Sequence, residues 1–364
     1  MGTTKQLLPL GGRVLLQHVL DTVRGSEVRE VILVLGYSAE KIKQQLDLNG
    51  IKVVINENYD EGMGSSLKVG LATVESHAGA AIVMLADLPF VHSKTLDALI
   101  AARSRTDTQI VIPTYRGFRG NPVLLDRSVF AEAMAVRGDI GCRAIFGSHL
   151  SGIVTLPVED VGILLDIDQR SDYEQLQSVD REKTFQQRPD LEGKGSGAID
   201  PVRPELVIVG RESVVVALAR LAHMLGFTVT IVDPLLTIAE VPDVDRLLHV
   251  LDFSLLPANS DRQVVVASRG ACDEEAIRQA LMFHSAFVGL VANKKRGEEV
   301  LRALGIKGVE RDELARVRVP AGLEIGAKTP EEIALSILAE IVTERRKRLA
   351  ARDHATAGIS PNRR

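Results

Sequence analysis

Residues 80–89 read AAIVMLADLP, an unbroken apolar run that ends in an aspartate followed by Leu-Pro. Such a run is typical of a strand buried on both faces, and Pro89 would stop it because proline cannot donate to the hydrogen-bonded ladder. Asp87 would then lie at the carboxyl end of a strand, where ligands bind in open α/β sheets. Its carboxylate suits Mg²⁺, which takes one or two carboxylates plus phosphate oxygens. A cap for the helix predicted near Ser93–Thr95 explains Asp87 equally well.

Outward from this strand, apolar runs and amphipathic stretches alternate through the first half of the chain. Apolar runs predict strands at Glu30–Leu35, Lys52–Ile55, Ala80–Ala86 and Gln109–Ile112. Helical spacing marks Ala39–Leu46, Ser65–Val74 and Ser93–Ala102. Alternation at this pitch predicts an α/β fold in three layers, with helices on both faces of a parallel sheet.

The second half repeats this scheme and predicts another three-layer, Rossmann-like domain. Its strands are expected at Leu206–Val209, Thr228–Val232, Val264–Ala267 and Phe287–Val291. Asp233 follows Gly210 by 23 positions, close to the spacing of about 20 expected for a ribose-binding acid. Glu212 and Val215 stand where the second and third glycines of that fingerprint belong, however, and a glutamate would repel a pyrophosphate. We therefore predict weak or absent NAD binding.

The segment 180–204 is polar and rich in Gly and Pro, which predicts an exposed linker. It separates a first domain at 1–179 from a second at 205–345, and residues 346–364 are expected to form a flexible tail. The last helix of the second domain is well marked. Thr329 can cap it, Pro330 suits its first position, and Glu332 completes a capping box.

The composition argues against a nucleic-acid-binding protein and against a membrane protein. The chain has 364 residues, 45% of them apolar, and a formal net charge of -4, which gives no general attraction to nucleic acid or an anionic membrane. Two cysteines without metal-ligand spacing favour a reduced compartment. No apolar run reaches the ~18 residues of a membrane span. We expect a cytoplasmic protein with no nucleic-acid or membrane partner.

Other candidate residues are weaker when taken singly. Asp166 and Asp168 alternate in LLDID (164–168), which would place both carboxylates on one face of a strand, although a surface aspartate and a helix cap fit as well. Lys5 lies near glycines and could neutralise a phosphate, or simply be solvated. Arg119 stands between two glycines and could hold a phosphate bidentately, or be a solvated loop residue.

Six stretches stand in order across residues 1–178: MGTTKQLLPLGG (1–12), EGMGSSLKVGL (61–71), MLADLPFV (84–91), GFRGNPVLL (117–125), GDIGCR (138–143) and DIDQRSDY (166–173). In this order and spacing they resemble the molybdenum cofactor cytidylyltransferase family. The resemblance implies a nucleotidyltransferase fold and a reaction in which the terminal phosphate of the molybdopterin cofactor attacks the α-phosphorus of CTP, with pyrophosphate leaving.

The resemblance also implies roles for individual residues. Catalytic positions are Lys5, Asp87 and Asp168, and Mg²⁺ would be held by Asp87 and Asp168 with Asp166. The implied nucleotide-binding residues are Gly2, Lys5, Ser65, Ser66 and Asp87. The implied molybdopterin-side residues are Arg119, Gly120, Asn121, Pro122 and Asp139.

One departure concerns the start of the chain. The family opens with a strand and a glycine-rich loop, roughly LAAGxSxR, ahead of the Met-Gly with which this sequence begins. That piece would supply a central strand and backbone N–H groups that cradle the triphosphate, and its loss would expose the edges of neighbouring strands. We expect the native start codon to lie upstream.

Three stretches of the second half, VVVASRGACDEEAI (264–277), FVGLVANKKR (287–296) and PAGLEIGAKTPEEIALSILAEIV (320–342), resemble the carboxyl-terminal Rossmann-like domain of the xanthine dehydrogenase accessory factor family. The resemblance implies help in maturing or inserting the molybdenum cofactor, and a xanthine dehydrogenase-type hydroxylase as partner. The main interpretation is therefore a cytidylyltransferase fused to a maturation domain. Two alternatives stay open: a non-catalytic chaperone that only binds the mature cofactor, and a nucleotidyltransferase for another phosphate substrate.

Overall fold

The computed structural model describes residues 4–104, 108–139, 141–167, 189–193 and 203–357, with side chains described up to Ala351. By its internal contacts the chain divides into two compact units, Met1–Arg188 and Pro189–Arg364. Within the described ranges, no helix combines the length and the hydropathy that crossing a membrane requires.

The described residues of the first unit form two two-stranded sheets and one five-stranded sheet. Its strands are β1 (Pro9–Leu10), β2 (Arg13–Val14), β3 (Val31–Leu35), β4 (Ile51–Ile55), β5 (Ala80–Val83), β6 (Ile110–Tyr115), β7 (Phe118–Arg119), β8 (Val123–Asp126) and β9 (Ile153–Pro157). Strands β3 and β4 form a parallel pair. A five-stranded sheet runs β5-β8-β6-β7, with β9 parallel to β6 on its other side.

The α/β prediction is confirmed, but the five-stranded sheet is less parallel than expected. β8 runs antiparallel to β5 and β6, and β7 runs antiparallel to β6. The reason is local: β7 and β8 follow β6 through short turns, and no helix intervenes to return the chain for parallel pairing. The β6–β7 turn uses positive φ angles at Arg116 (51°) and Gly117 (90°), as tight hairpin turns require.

The α-helices in the described part of the first unit are α1 (Leu15–Arg24), α2 (Ala39–Lys43), α3 (Met63–Thr73), α4 (Ser93–Ser104) and α5 (Phe130–Met134). Leu16 and Leu20 of α1 lie four residues apart and are buried against Leu33, Leu35 and Ile42. This packing follows the helical period, which brings residues i and i+4 onto one face, and it fixes α1 against β3.

The second unit has the strand order of a doubly wound Rossmann fold. Its strands are β10 (Leu191–Gly193), β11 (Glu205–Val209), β12 (Thr228–Val232), β13 (Arg246–Leu248), β14 (Arg262–Val266), β15 (Phe287–Leu290) and β16 (Val317–Arg318). They lie in the order β10-β13-β12-β11-β14-β15-β16, and all pairs except β10–β13 are parallel. The order reverses between β11 and β14, where such folds form a crevice. The predicted Rossmann-like domain is confirmed.

The helices of the second unit are α6 (Ser213–Met224), α7 (Asp273–Met282), α8 (Lys294–Ile306), α9 (Arg311–Leu314) and α10 (Pro330–Ala357). α10 begins with the predicted capping box: Thr329 Oγ1 accepts from the N–H of Glu332, and Glu332 Oε2 accepts from the N–H of Thr329. The backbone N–H groups of Thr329 and Lys328, which both donate to Glu332 Oε2, lower the pKa of Glu332. Ile337, Leu338 and Ile341 of α10 are buried, as the apolar stripe of this helix requires.

Two segments differ from their predicted roles. Leu191–Gly193, expected in the linker, forms the antiparallel edge strand β10. Helix α10 continues to Ala357, into the expected tail. The polar composition of both segments misled the sequence analysis, because edge strands and solvated helix ends are also polar.

Candidate active site

Asp87 lies in the turn that follows β5, four residues after the strand ends and next to the buried Leu88. β5 is half-buried along its whole length and ends at Val83, so the fully buried strand predicted at 80–86 is wrong in its burial and its end. Its Oδ2 accepts a hydrogen bond from Lys5 Nζ at 2.9 Å, across 82 residues of sequence. Its Oδ1 is buried and has no hydrogen-bonding partner. A buried carboxylate oxygen without a donor is costly, so this atom is the natural place for a cation that arrives with a ligand.

The helix-capping alternative for Asp87 is wrong. The start of α4 is bonded by Asp160, whose Oδ2 accepts from the N–H of His92 at 2.9 Å and from the Thr95 hydroxyl at 2.5 Å. Asp160 Oδ1 accepts from the N–H of Gly162. Asp160 is 2% exposed, so this aspartate, and not Asp87, ties the helix to the chain beside it.

Lys5 belongs to a short 3-10 helix, Lys5–Leu7, which buried Leu7 anchors to the core. The side chains of Lys5 and Asp87 are 23% and 25% exposed. A partly exposed ion pair contributes about 0–1 kcal/mol to stability, so the pair is not needed for folding. It brings a cation and a carboxylate together where a phosphate and its metal would need both.

Two cavities adjoin this pair. A cleft of about 630 Å³ is lined by Lys5, Ala86, the end of β3, and the residues Gly36, Tyr37, Ser38, Lys41, Tyr59 and Ser66. A second cavity of about 600 Å³ is lined by Pro9, Leu10, Gly11, Gly12, His18, Pro89 and Phe90. Asp87 stands in the chain between Ala86 of the first cavity and Pro89 of the second. Asp87 itself lines neither cavity, but its neighbours in the chain line one each.

The predicted nucleotide residues Ser65 and Ser66 lie at the start of α3 and are held by Asn56. Asn56 is 1% exposed, and its Nδ2 donates to Ser65 Oγ at 2.8 Å and to Ser66 Oγ at 3.0 Å. Ser65 Oγ in turn donates to Gly62 O, whereas Ser66 lines the cleft. Asn56 was not predicted as a site residue, although an asparagine directly after a predicted strand is a candidate for such a role.

Residues 119–122 adjoin the segment that lies beside Asp87, although they line neither cavity in the described residues. Asn121 donates its N–H to Ile163 O at 3.0 Å, and Ile167 donates its N–H to Asp87 O at 3.2 Å. The Asn121–Pro122 bond is cis. The substrate-binding roles of Arg119, Gly120, Asn121 and Pro122 stay predictions.

Asp139 supports the start of α3. Its Oδ1 accepts from the N–H of Met63 at 3.2 Å, and Gly138 O accepts from the N–H of Gly64 at 2.9 Å. Gly62 has φ +97°, and a Cβ there would lie 2.8 Å from the Gly138 carbonyl carbon. The described contacts of Asp139 are therefore structural, and its substrate-binding role stays a prediction.

Gly2 and Asp168 lie outside the described residues. Asp166 is described and exposed, but the predicted strand around it is wrong: Val161–Leu164 is a 3-10 helix, and residues 165–167 are irregular. Among the described residues, no group of three or more His, Cys, Asp or Glu side chains could hold a metal ion. The metal-binding roles of Asp166 and Asp168 stay predictions.

In the second unit, the charged residues near the Rossmann switch point pair with each other or accept hydrogen bonds from the backbone. Gly210 has φ +127°, and a Cβ there would lie 2.4 Å from Ala267 O. Glu212 begins α6 and pairs with Arg269 at 3.0 Å. Asp233 is 4% exposed, and its Oδ1 accepts from the N–H groups of Leu235 and Leu236. The carboxylate at the ribose-binding spacing is thus used to close a turn.

We expect Asp233→Asn to stabilise the protein at neutral pH. Burial raises the pKa of Asp233, against the lowering effect of Arg211. Because the folded pKa exceeds the unfolded one, ionisation costs stability as pH rises through the folded value. Asparagine keeps the acceptor oxygen without the charge. Its advantage in urea unfolding should be largest at pH 7 and shrink as pH falls. Asp252→Asn, which changes a similar but less buried turn cap at Ser254, should give no gain.

Two domain families match the chain. Residues 1–153 match the MobA-like NTP transferase domain, and residues 206–341 match the XdhC Rossmann domain. The chain carries a MobA-like NTP transferase domain followed by an XdhC Rossmann domain. Both resemblances read from the sequence are confirmed at this level, and the first unit is a nucleotidyltransferase domain.

Relatives of the NTP transferase domain have varied names. The uncharacterized protein YqeB of Escherichia coli K12 is 35% identical over 152 residues, which are 40% of this chain and 28% of YqeB. Nicotine blue oxidoreductase of Paenarthrobacter nicotinovorans is 31% identical over 150 residues, 38% of this chain and 71% of that protein. Rv0371c of Mycobacterium tuberculosis H37Rv, solved in complex with manganese, is 33% identical, with a TM-score of 0.42 over 48% of this chain and 92% of that one.

Proposed function

We propose that this protein transfers CMP from CTP to the terminal phosphate of the molybdopterin cofactor, with Mg²⁺, and that its XdhC domain serves a xanthine dehydrogenase-type hydroxylase. The domain match supports nucleotidyl transfer. The observation that carries the proposal is Asp87, whose buried Oδ1 lacks a partner while Oδ2 accepts from Lys5, a residue that lines the first cleft.

The residues present fit a divalent cation. Mg²⁺ uses one or two carboxylates plus substrate phosphates, and Asp87 offers one carboxylate with an unpaired oxygen. Asp168 and Asp166 are the proposed further ligands. When bound, the ion would neutralise charge on the phosphate oxygens.

The chain's own residues would position the two substrates. Lys5 would move from Asp87 to the triphosphate, and Ser66 lines the same cleft. An oxygen of the acceptor phosphate, in the second cavity, forms the new bond to the α-phosphorus of CTP as the bond to the leaving pyrophosphate breaks. No protein nucleophile is needed, since such transfers depend on positioning and charge neutralisation.

Pyrophosphate release tests the proposal. Purified protein, Mg²⁺ and molybdopterin cofactor are incubated with CTP, GTP, ATP or UTP. CTP-dependent pyrophosphate and a cytosine dinucleotide product are expected. Cofactor binding without pyrophosphate release would favour the non-catalytic chaperone. A preference for another acceptor would favour a nucleotidyltransferase for another phosphate substrate. Because one relative is named an oxidoreductase, oxidation of NADH or NADPH is monitored in parallel, and turnover there alone would contradict the proposal.

Gly162→Ala is expected to reduce this activity by about 10²-fold. A Cβ at Gly162 would lie 2.1 Å from Phe90 O, so the turn that carries Asp87 must shift, and displacements of about 1 Å cost that much in catalysis. Gly147→Ala is the matched control, because no atom lies within 4 Å of its added Cβ. Equal rates for the two variants would show that this turn does not position the reacting groups.

A further inference from the structure

Two exposed tyrosines line the first cleft. Tyr37 follows β3 and is 69% exposed, and Tyr59 follows β4 and is 46% exposed. Their ring centroids are 6.1 Å apart at an interplanar angle of 63°, an edge-to-face pair. The chain has four tyrosines and no tryptophan, and two of the tyrosines line this cleft. Ligand pockets are commonly lined by aromatic side chains.

The backbone holds both rings in place. A Cβ at Gly36 would lie 2.4 Å from Tyr59 Cβ, so the side chain of Tyr59 packs directly on the glycine before Tyr37. Ser38 adopts a left-handed conformation (φ 58°) at the start of α2. On the other side, Asn58 donates its N–H to Asn56 Oδ1 at 3.0 Å, just ahead of the turn Tyr59–Glu61. The pair therefore lies just beyond the ends of two adjacent strands, β3 and β4.

We propose that Tyr37 and Tyr59 form the stacking platform for the nucleobase of the bound nucleotide. The inference rests on the proposed function and assigns residues to one half of its donor substrate. The cleft is lined by Lys5, suited to phosphate, and by this aromatic pair, suited to a planar heteroaromatic ring. Aromatic stacking tolerates any base, so the platform supplies affinity, and the choice among bases is made by other contacts.

The test separates the base from the phosphates. Binding of CTP and of inorganic tripolyphosphate, which has no base, is measured by calorimetry in Mg²⁺ buffer. The intact chain should bind CTP more tightly. Tyr37→Ala should weaken CTP binding by about tenfold or more and leave tripolyphosphate binding unchanged. Tyr37→Phe should retain CTP affinity. Gly36→Ala, which displaces Tyr59 and keeps both rings, should also weaken CTP selectively.

Tyrosine fluorescence gives a second readout, because the chain has no tryptophan to mask it. CTP should quench the emission of the intact chain, corrected for absorption, and tripolyphosphate should not. If CTP keeps its full advantage over tripolyphosphate in Tyr37→Ala and Gly36→Ala, the platform is wrong and the proposed function stands. If the intact chain binds neither ligand, the proposed function itself fails, and the platform fails with it.

Discussion

Asp87→Asn is expected to lower the rate of nucleotidyl transfer by about 10³-fold without unfolding the protein. The substitution keeps the shape of the side chain and removes the charge that a divalent ion needs. It also leaves Lys5 without its carboxylate partner at 2.9 Å. The loss should appear in kcat, because the charge that the cation neutralises grows as the α-phosphorus is attacked.

Stability should be almost unaffected by the same change. The Lys5–Asp87 pair is about one-quarter exposed on each side, and such pairs contribute about 0–1 kcal/mol. The matched control is Asp47→Asn, which removes another ion-paired aspartate of the first unit, 3.0 Å from Arg24 and outside both cavities. Pyrophosphate release and thermal unfolding are measured for both variants. If Asp87→Asn worked as fast as Asp47→Asn, Asp87 would not be the acidic centre of the site.

Glu205→Gln is expected to lower the free energy of unfolding of the second unit by about 3–5 kcal/mol. Glu205 is 1% exposed and accepts from Arg262 Nε at 2.6 Å and from Arg246 Nη2 at 3.2 Å. Both arginines are also buried, at 3% and 9% exposure. Removal of the single carboxylate leaves two buried positive charges that no neighbouring anion in this cluster compensates.

Hydrogen exchange of peptides from β11 and β14 measures this effect within the second unit. Glu275→Gln is the control: its pair with Arg278 is over 40% exposed on both sides, so its loss should cost less than about 1 kcal/mol. Replacing Glu205, Arg246 and Arg262 together by Met should be less damaging than Glu205→Gln, because no buried charge remains. A Glu205→Gln protein with unchanged exchange would show that the cluster is not under this electrostatic constraint.

Several strands and one helix start of this protein follow from local residue patterns. The strands predicted at 30–35, 52–55, 80–86 and 228–232 are found at 31–35, 51–55, 80–83 and 228–232, and the capping box at Thr329 forms. In contrast, residues 165–167 alternate like a strand and are not one, because the chain there follows the 3-10 helix at 161–164 and is bonded to the Asp87 turn. The strands β13 and β16 were not predicted, because they are too short to show an alternation of apolar and polar residues.

The amino-acid sequence by itself determined two α/β units, the position of Asp87 a few residues after a strand, and the departure of the second unit from a dinucleotide fingerprint. These features depend on propensity and periodicity over a few neighbouring residues. Only the tertiary structure decided that Lys5 reaches Asp87, that Tyr37 meets Tyr59, and that Glu205 neutralises Arg246 and Arg262. Such contacts join residues from separate segments of the chain, and they depend on which segments the packed core brings together, which no local pattern encodes.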